Sequence, residues 1–310
     1  MRSPSLCPPF AVLALSLAGV GLGGAAATSL DFGVSYAPGS SFSQSALLRL
    51  DVQDVSLAGF TLGAGASSRG LDLSVSRALV LSGLGALRAR ANAAALYAGG
   101  LSGSLDLSGT LGPVALTVGG SAWSAFPAAF DPLARWAQVA PDLRASGSAL
   151  NLSARYRLSR ELVLNAGGTL NSQSSALVYG EWRQGDLSYR LGLRAGAGVL
   201  GLTAGLSYSN PDSGLTAALD GLAGPNTLGL TGSLGLDGAL GDGSSLLAYA
   251  AYEPWRSDSQ TLRAGVQASV PAGPGTLNAE ARGGWSSAAG AGFGVRVGYT
   301  LPLGVPAEQP

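Results

Sequence analysis

Apolar and polar residues alternate at every second position along most of this chain. In GFGVRVGYTLPL (292–303), Phe293, Val295, Val297, Tyr299 and Leu301 alternate with Gly292, Gly294, Arg296, Gly298 and Thr300. In LNLSARYRL (150–158), Leu150, Leu152, Ala154, Tyr156 and Leu158 alternate with Asn151, Ser153, Arg155 and Arg157. Residues two apart share one face of a strand. Each segment therefore predicts a strand with one oily face and one face that accepts glycine, hydroxyls and charge. LDFGVSY (30–36), LDLSVS (71–76), LSGSLDLSG (101–109), VALTVGG (114–120) and LSYRLGLRA (187–195) repeat the pattern, and further segments carry it to the end.

The breaks are short and turn-like: SRE (159–161), QGD (184–186), NPDSG (210–214), AGPN (223–226) and PAGPG (271–275). Such connections join antiparallel neighbours, because a parallel crossover needs a dozen or more residues. The segments number about 18, within a range of roughly 14 to 20. The joins inside 81–97 and at GAGVLG (196–201) are the least marked. No domain boundary interrupts the series.

Composition decides what the oily face meets. A soluble sandwich covers its outer face with charge, and this chain is only 12% charged and 46% apolar. A closed barrel in lipid inverts the arrangement, with apolar residues outward and polar residues inward. The prediction is an all-β fold: a closed antiparallel up-and-down transmembrane β-barrel. Tyr36, Tyr156, Tyr208, Tyr252, Trp285 and Tyr299 stand near segment ends, where interfacial aromatic bands are expected. Arg296 is expected to face a wet lumen, hydrated or paired with a carboxylate such as Glu280. Gly294, on the same face, is expected to accept serine at little cost.

The N-terminus reads as a signal peptide over 1–27. Arg2 precedes the apolar stretch 10–23, and small residues follow at 25–27. Cleavage there removes Cys7 and leaves residues 28–310 as the barrel, without a disulfide or thiolate site. All 18 basic residues are arginine and the acidic residues also number 18. That balance does not suit a nucleic-acid partner.

On these residues the mature chain resembles bacterial outer-membrane β-barrels of the porin-like class, in pattern rather than as a specific family. Arg296, Gly298, Leu301 and Leu303 resemble the C-terminal signal of such proteins, although Pro302 and a tail to Pro310 depart from it. The resemblance implies an outer-membrane location, surrounding lipid and the barrel-assembly machinery as partners.

Chemistry is sparse. Without histidine or lysine the chain holds no Ser-His-Asp triad, Cys-His pair, His-based metal site or Ser-Lys dyad. No enzyme, cofactor or metal site is expected. DGALGDGSS (237–245) reads as a turn rather than a calcium loop. The candidate pore-lining residues are Arg155, Arg157, Arg183, Arg190, Arg194, Arg263, Arg282 and Arg296, with Glu181 and Glu280. They predict either a basic strip facing acids of the first half (Asp51, Asp72, Asp106) or ion pairs that stabilise the wall.

One segment, 123–144, breaks the pattern. Asp131 followed by Pro132 predicts a helix start, with Leu133, Trp136, Val139 and Ala140 on one face and Pro141 as its stop. Strand counting places this loop outside the cell. It is either a folded-in constriction carrying Asp131, Arg135 and Trp136 or a cap on the rim. The function read from the sequence is a passive pore for small polar or anionic solutes. The alternatives are a barrel with a filled lumen, structural or adhesive, and a secreted β-solenoid adhesin.

Overall fold

The computed structural model describes residues 29–38, 46–81, 85–139, 142–225, 227–255, 260–287 and 290–303. The segment read as a signal peptide, together with Asn226, Ala140, Pro141 and the tail from 304, lies outside them. Eighteen strands follow in order: Ser29–Tyr36 (β1), Ala46–Leu57 (β2), Phe60–Ser67 (β3), Gly70–Leu81 (β4), Gly85–Leu96 (β5) and Leu101–Leu111 (β6). Then come Val114–Trp123 (β7), Gly147–Arg157 (β8), Leu162–Leu170 (β9), Ser175–Gln184 (β10), Leu187–Gly196 (β11) and Val199–Asn210 (β12). The last six are Leu215–Gly224 (β13), Thr227–Asp237 (β14), Ser245–Tyr252 (β15), Leu262–Ala272 (β16), Gly275–Ser286 (β17) and Gly290–Pro302 (β18).

Every strand pairs antiparallel with its neighbours in sequence, and β1 pairs with β18, so the sheet closes on itself. The solenoid alternative is overturned, because solenoid coils stack in parallel. The closing register sets Ser29 opposite Pro302 and Ser35 opposite Arg296. Pro302 has no N–H to give and stands as the last residue of its strand, where none is needed. The join at GAGVLG is a two-residue turn, with Ala197 at φ 54° and Gly198 at φ 76°. Two positive φ values match the hairpin turn whose twist suits antiparallel strands.

The alternation has the expected phase. Leu152, Leu191, Phe293, Val295 and Val297 are exposed on the outside. Asn151, Arg190 and Arg194 line interior cavities. The aromatic residues fall at both rims of the outer face. Tyr36, Tyr252 and Trp285 stand at the rim that carries residues 124–146, here the loop rim. Tyr156, Tyr208 and Tyr299 stand at the opposite, turn rim. There Trp182 also meets Tyr189 across the β10–β11 pair, with ring centroids 6.1 Å apart. Strands of 8 to 13 residues suit an apolar band of bilayer thickness.

Val295→Arg puts a charge on the outer face in mid-strand. It is expected to destabilise the barrel by about 2–4 kcal/mol in lipid vesicles. Ser153→Arg, on the inner face of β8, is expected to cost much less. Equal shifts of the denaturant midpoint for the two variants would reverse the assignment of faces.

Candidate functional site

The segment between β7 and β8, described over 124–139 and 142–146, folds into the barrel through its first part. Its interior position follows from what it touches. A Cβ added to Gly292 or Gly294, both inward on β18, would stand 2.8 Å or 2.9 Å from the Trp136 ring. One added to Gly284 of β17 would stand 2.9 Å from the same ring. Three glycines thus form a floor on which the indole lies, and Leu133 packs over Gly294 beside it. Trp136 is 2% exposed and Leu133 0%. Covering two side chains of this size contributes roughly 1.5–3 kcal/mol each, as an upper estimate.

The predicted helix from Asp131 does not form. A single helical turn, Pro127–Phe130 (α1), starts on the proline of the preceding segment, and Asp131 ends it. Asp131 Oδ1 then accepts from the Leu133 N–H at 3.0 Å, and a short 3-10 turn covers Ala134–Trp136. Val139 is 81% exposed rather than part of an apolar helix face. The physical reason lies in the carbonyls. The wall bonds them instead: Tyr249 Oη donates to Trp136 O at 2.6 Å, Arg263 Nε to Ala137 O at 3.0 Å and Arg263 Nη2 to Gln138 O at 3.3 Å.

Four arginines hold the loop. Arg69, in the β3–β4 turn, donates to Ala128 O at 3.2 Å and Ala129 O at 3.4 Å. Burial lowers its pKa, yet a guanidinium stays protonated in proteins. Arg296 of β18 pairs with Asp131, with Glu280 at 3.2 Å and with Ser35 Oγ at 2.9 Å. Arg282 of β17 pairs with Glu280 at 2.5 Å and reaches Leu133 O at 3.5 Å. Arg263 of β16 pairs with Glu253 and donates to Gln260 O at 2.9 Å as well as to the loop. At the exit, Trp123 Nε1 donates to Arg144 O at 3.0 Å, and Arg144 pairs with Asp142 at 2.5 Å. The Arg144 guanidinium holds the Asp142 carboxyl below the usual carboxylate range.

The candidate residues therefore separate. Arg263 is 0% exposed, which corrects its assignment to the pore lining: it is enclosed by the loop and Glu253. Arg282, Arg296 and Glu280 form one network with the loop. Arg183 pairs with Glu181 at 2.7 Å and Arg190 with Asp220 at 3.0 Å. Arg194 stands over the Trp255 ring, 5.8 Å from its centroid. Arg155 is exposed on the inner face of β8, and Arg157 donates to Ser159 O and Arg160 O at the turn rim. Arg135 stays within its own turn, 5.7 Å from the Trp136 ring centroid, and it is Asp131 that reaches the wall. In the first half, Arg49 bridges Asp51 at 2.6 Å and Asp72 at 2.9 Å. Among the candidates, Arg183, Arg190, Arg263, Arg282 and Arg296 thus stand in ion pairs. Tyr249, Arg69, Asp220 and Trp255 were not singled out by sequence. Only the inward phase of Tyr249 and Asp220 on their strands could have found any of them.

Open space remains on both sides of the loop, and about 540 Å³ of it lies along β1, β2 and β16–β18 beside Asp131, Glu280 and Arg296. A cavity of about 830 Å³ runs from the loop (Phe130, Asp131, Val139) across to Asn151 of β8, Thr169 of β9, Leu177 of β10 and Arg194 of β11. A second, of about 600 Å³, lies along β2–β7, lined by Arg49, Asp72, Arg88, Arg90 and Ser104.

The whole fold is similar to those of solved porins. A multiple mutant of the Rhodopseudomonas blastica porin superposes with a TM-score of 0.52 at 12% identity, over 89% of this chain and 98% of that one. An engineered protein studied for asymmetric conductivity matches with a TM-score of 0.52 at 11% identity and the same coverage. At such identity the likeness is one of fold, that of a porin-like closed barrel. No family model matches the sequence. No curated protein matches it either.

Gly294→Ser, cheap by sequence, instead drives a side chain into Trp136 and Leu133. Gly292→Val is expected to act in the same way, releasing the loop without opening the barrel. Trypsin cleavage after Arg135 and Arg144 should rise about tenfold, a change of roughly 1.4 kcal/mol in local opening. The heat-modifiable band on a gel should stay in place. Unchanged cleavage would show that the glycine floor does not hold the loop.

Proposed function

We propose that the chain is an outer-membrane barrel that forms a passive pore for small polar solutes, with a preference for anions. One observation carries this reading. The loop is clamped to the wall of β15–β18 and leaves open space along β8–β11 as well as beside it along β1, β2 and β16–β18. Of the candidate arginines, Arg155, Arg157, Arg183, Arg190 and Arg194 lie on β8–β11, clear of the clamp. The three beneath the loop are used in holding it. The porin-like fold supports a channel rather than an enzyme. The ion pairs at Arg183, Arg190 and Arg49 support a second reading, a filled barrel with a structural role.

Reversal potentials of the refolded barrel in a planar bilayer, across a salt gradient, test the proposal. Anions should be favoured, more strongly below about 0.1 M salt, where the Debye length exceeds about 10 Å. Replacing Arg190 and Arg194 by glutamine should reduce the preference. A barrel that inserts and does not conduct would remove the pore and leave the filled-barrel reading. A conducting barrel indifferent to both substitutions would give those arginines a structural role.

A further inference from the structure

We propose that the cavity between Gln138–Val139 of the loop and the inner face of β10–β14 is a binding site for an organic monocarboxylate with a ring-sized apolar body. This rests on the pore reading above and specifies its solute.

The first observation is a local break in the polar lining. Inward positions elsewhere on this wall are Asn151, Ser153 and Arg155 on β8 and Thr203, Gly205 and Ser207 on β12. On β10 the inward positions between Ser175 and Glu181 are Leu177 and Tyr179, and both line the cavity. Val139, highly exposed on the loop, faces the same space. Apolar side chains turned into a hydrated lumen gain by being covered, and an exposed apolar patch inside a concave site marks a ligand surface.

The second observation is Trp255. Its ring lies against Gly229 of β14, so closely that a Cβ there would stand 2.1 Å from Cη2. Gly229 is therefore a seat for the indole, which lines the cavity. The indole Nε1 has no acceptor among the described residues, and neither has Arg190 Nε. Both nitrogens are buried, so the groups left to meet a ligand are the Arg190 and Arg194 guanidinium ends that line the cavity, and these suit a ligand that brings oxygens.

The third observation is charge. The carboxylates that line the cavity, Asp220 and Glu253, are each engaged by an arginine, Arg190 and Arg263. They have little left for a cation. A carboxylate offers two oxygens to guanidinium donors in the geometry such groups prefer. A small hydrated oxyanion would leave Leu177, Tyr179 and Val139 uncovered, so the anion has to carry an apolar body. The cavity, about 390 Å³, shares Val139, Leu177, Arg194 and Trp255 with the 830 Å³ space and so opens into the passage.

Block of chloride current by three probes in a planar bilayer tests the proposal. Cyclohexanecarboxylate should reduce the current with saturation, while formate and cyclohexylmethanol at equal concentration should not. Leu177→Ser and Gly229→Val, each read against its own chloride conductance, should raise the half-blocking concentration about tenfold. Chloride conductance with equal block by all three probes, or by none, overturns the site and leaves the pore. An inserted barrel that passes no chloride overturns the pore instead. Tryptophan fluorescence with the same probes then decides the site. A response to cyclohexanecarboxylate alone that Trp255→Phe abolishes supports it, and no response overturns it.

Discussion

The absence of water inside a bilayer constrains this molecule more than any contact it makes. A backbone N–H or C=O without a partner costs several kcal/mol in hydrocarbon, so a sheet in lipid cannot have an edge. The β1–β18 pairing meets that condition, with eight residues of β1 in register against β18. Much else follows from it. An even number of antiparallel strands brings both ends of the sheet to the turn rim. The wall is one residue thick, so each strand must serve lipid and lumen at once. The period-two alternation is the sequence form of that double duty.

The same constraint recurs inside the lumen on a smaller scale. A chain segment folded into the barrel brings carbonyls that lack the order of a sheet. Arg69, Arg263 and Arg282, with Tyr249, donate to those carbonyls, and Arg296 holds the Asp131 carboxylate. A guanidinium suits this role because it has five donors in a fixed plane, so one arginine can serve a carboxylate and two carbonyls together. Arg263 does so with Glu253, Ala137 and Gln138. The glycines opposite Trp136 complete the attachment. They provide depth, where a larger residue would hold the indole away from the wall and lengthen the arginine bonds.

The barrel was legible because its signal is redundant. Eighteen strands repeat one period, so a strand that departs from it, such as β10 with Leu177 and Tyr179 facing in, does not disturb the rest. Strand number, phase and the aromatic rims could all be read. The loop was legible only in part. Its break in pattern and its charged residue Asp131 stood out, whereas its conformation did not, because the partners of its carbonyls lie up to 149 residues away in sequence. The same distance hid the difference between Arg263 and Arg155. Both occupy inward positions on a strand, yet one is enclosed and the other open, and nothing local to either strand distinguishes them.

That difference sets what an ion in the lumen would feel. An Arg–Asp pair with its atoms 3 Å apart is a dipole, and its potential falls off faster than that of a single charge. Screening over about 8–10 Å at ordinary salt weakens it further. The networks at Arg49, Arg263, Arg282 and Arg296 therefore act mainly on the groups they touch. Arg155, with no carboxylate partner among the described residues, and Arg157, bonded to backbone carbonyls, leave their charge less compensated near the turn rim of β8. The loop attachment and the residual field are thus on opposite sides of one lumen. An anion would meet that field first at the rim of β8, whereas the Arg190–Asp220 pair farther in acts mainly at contact.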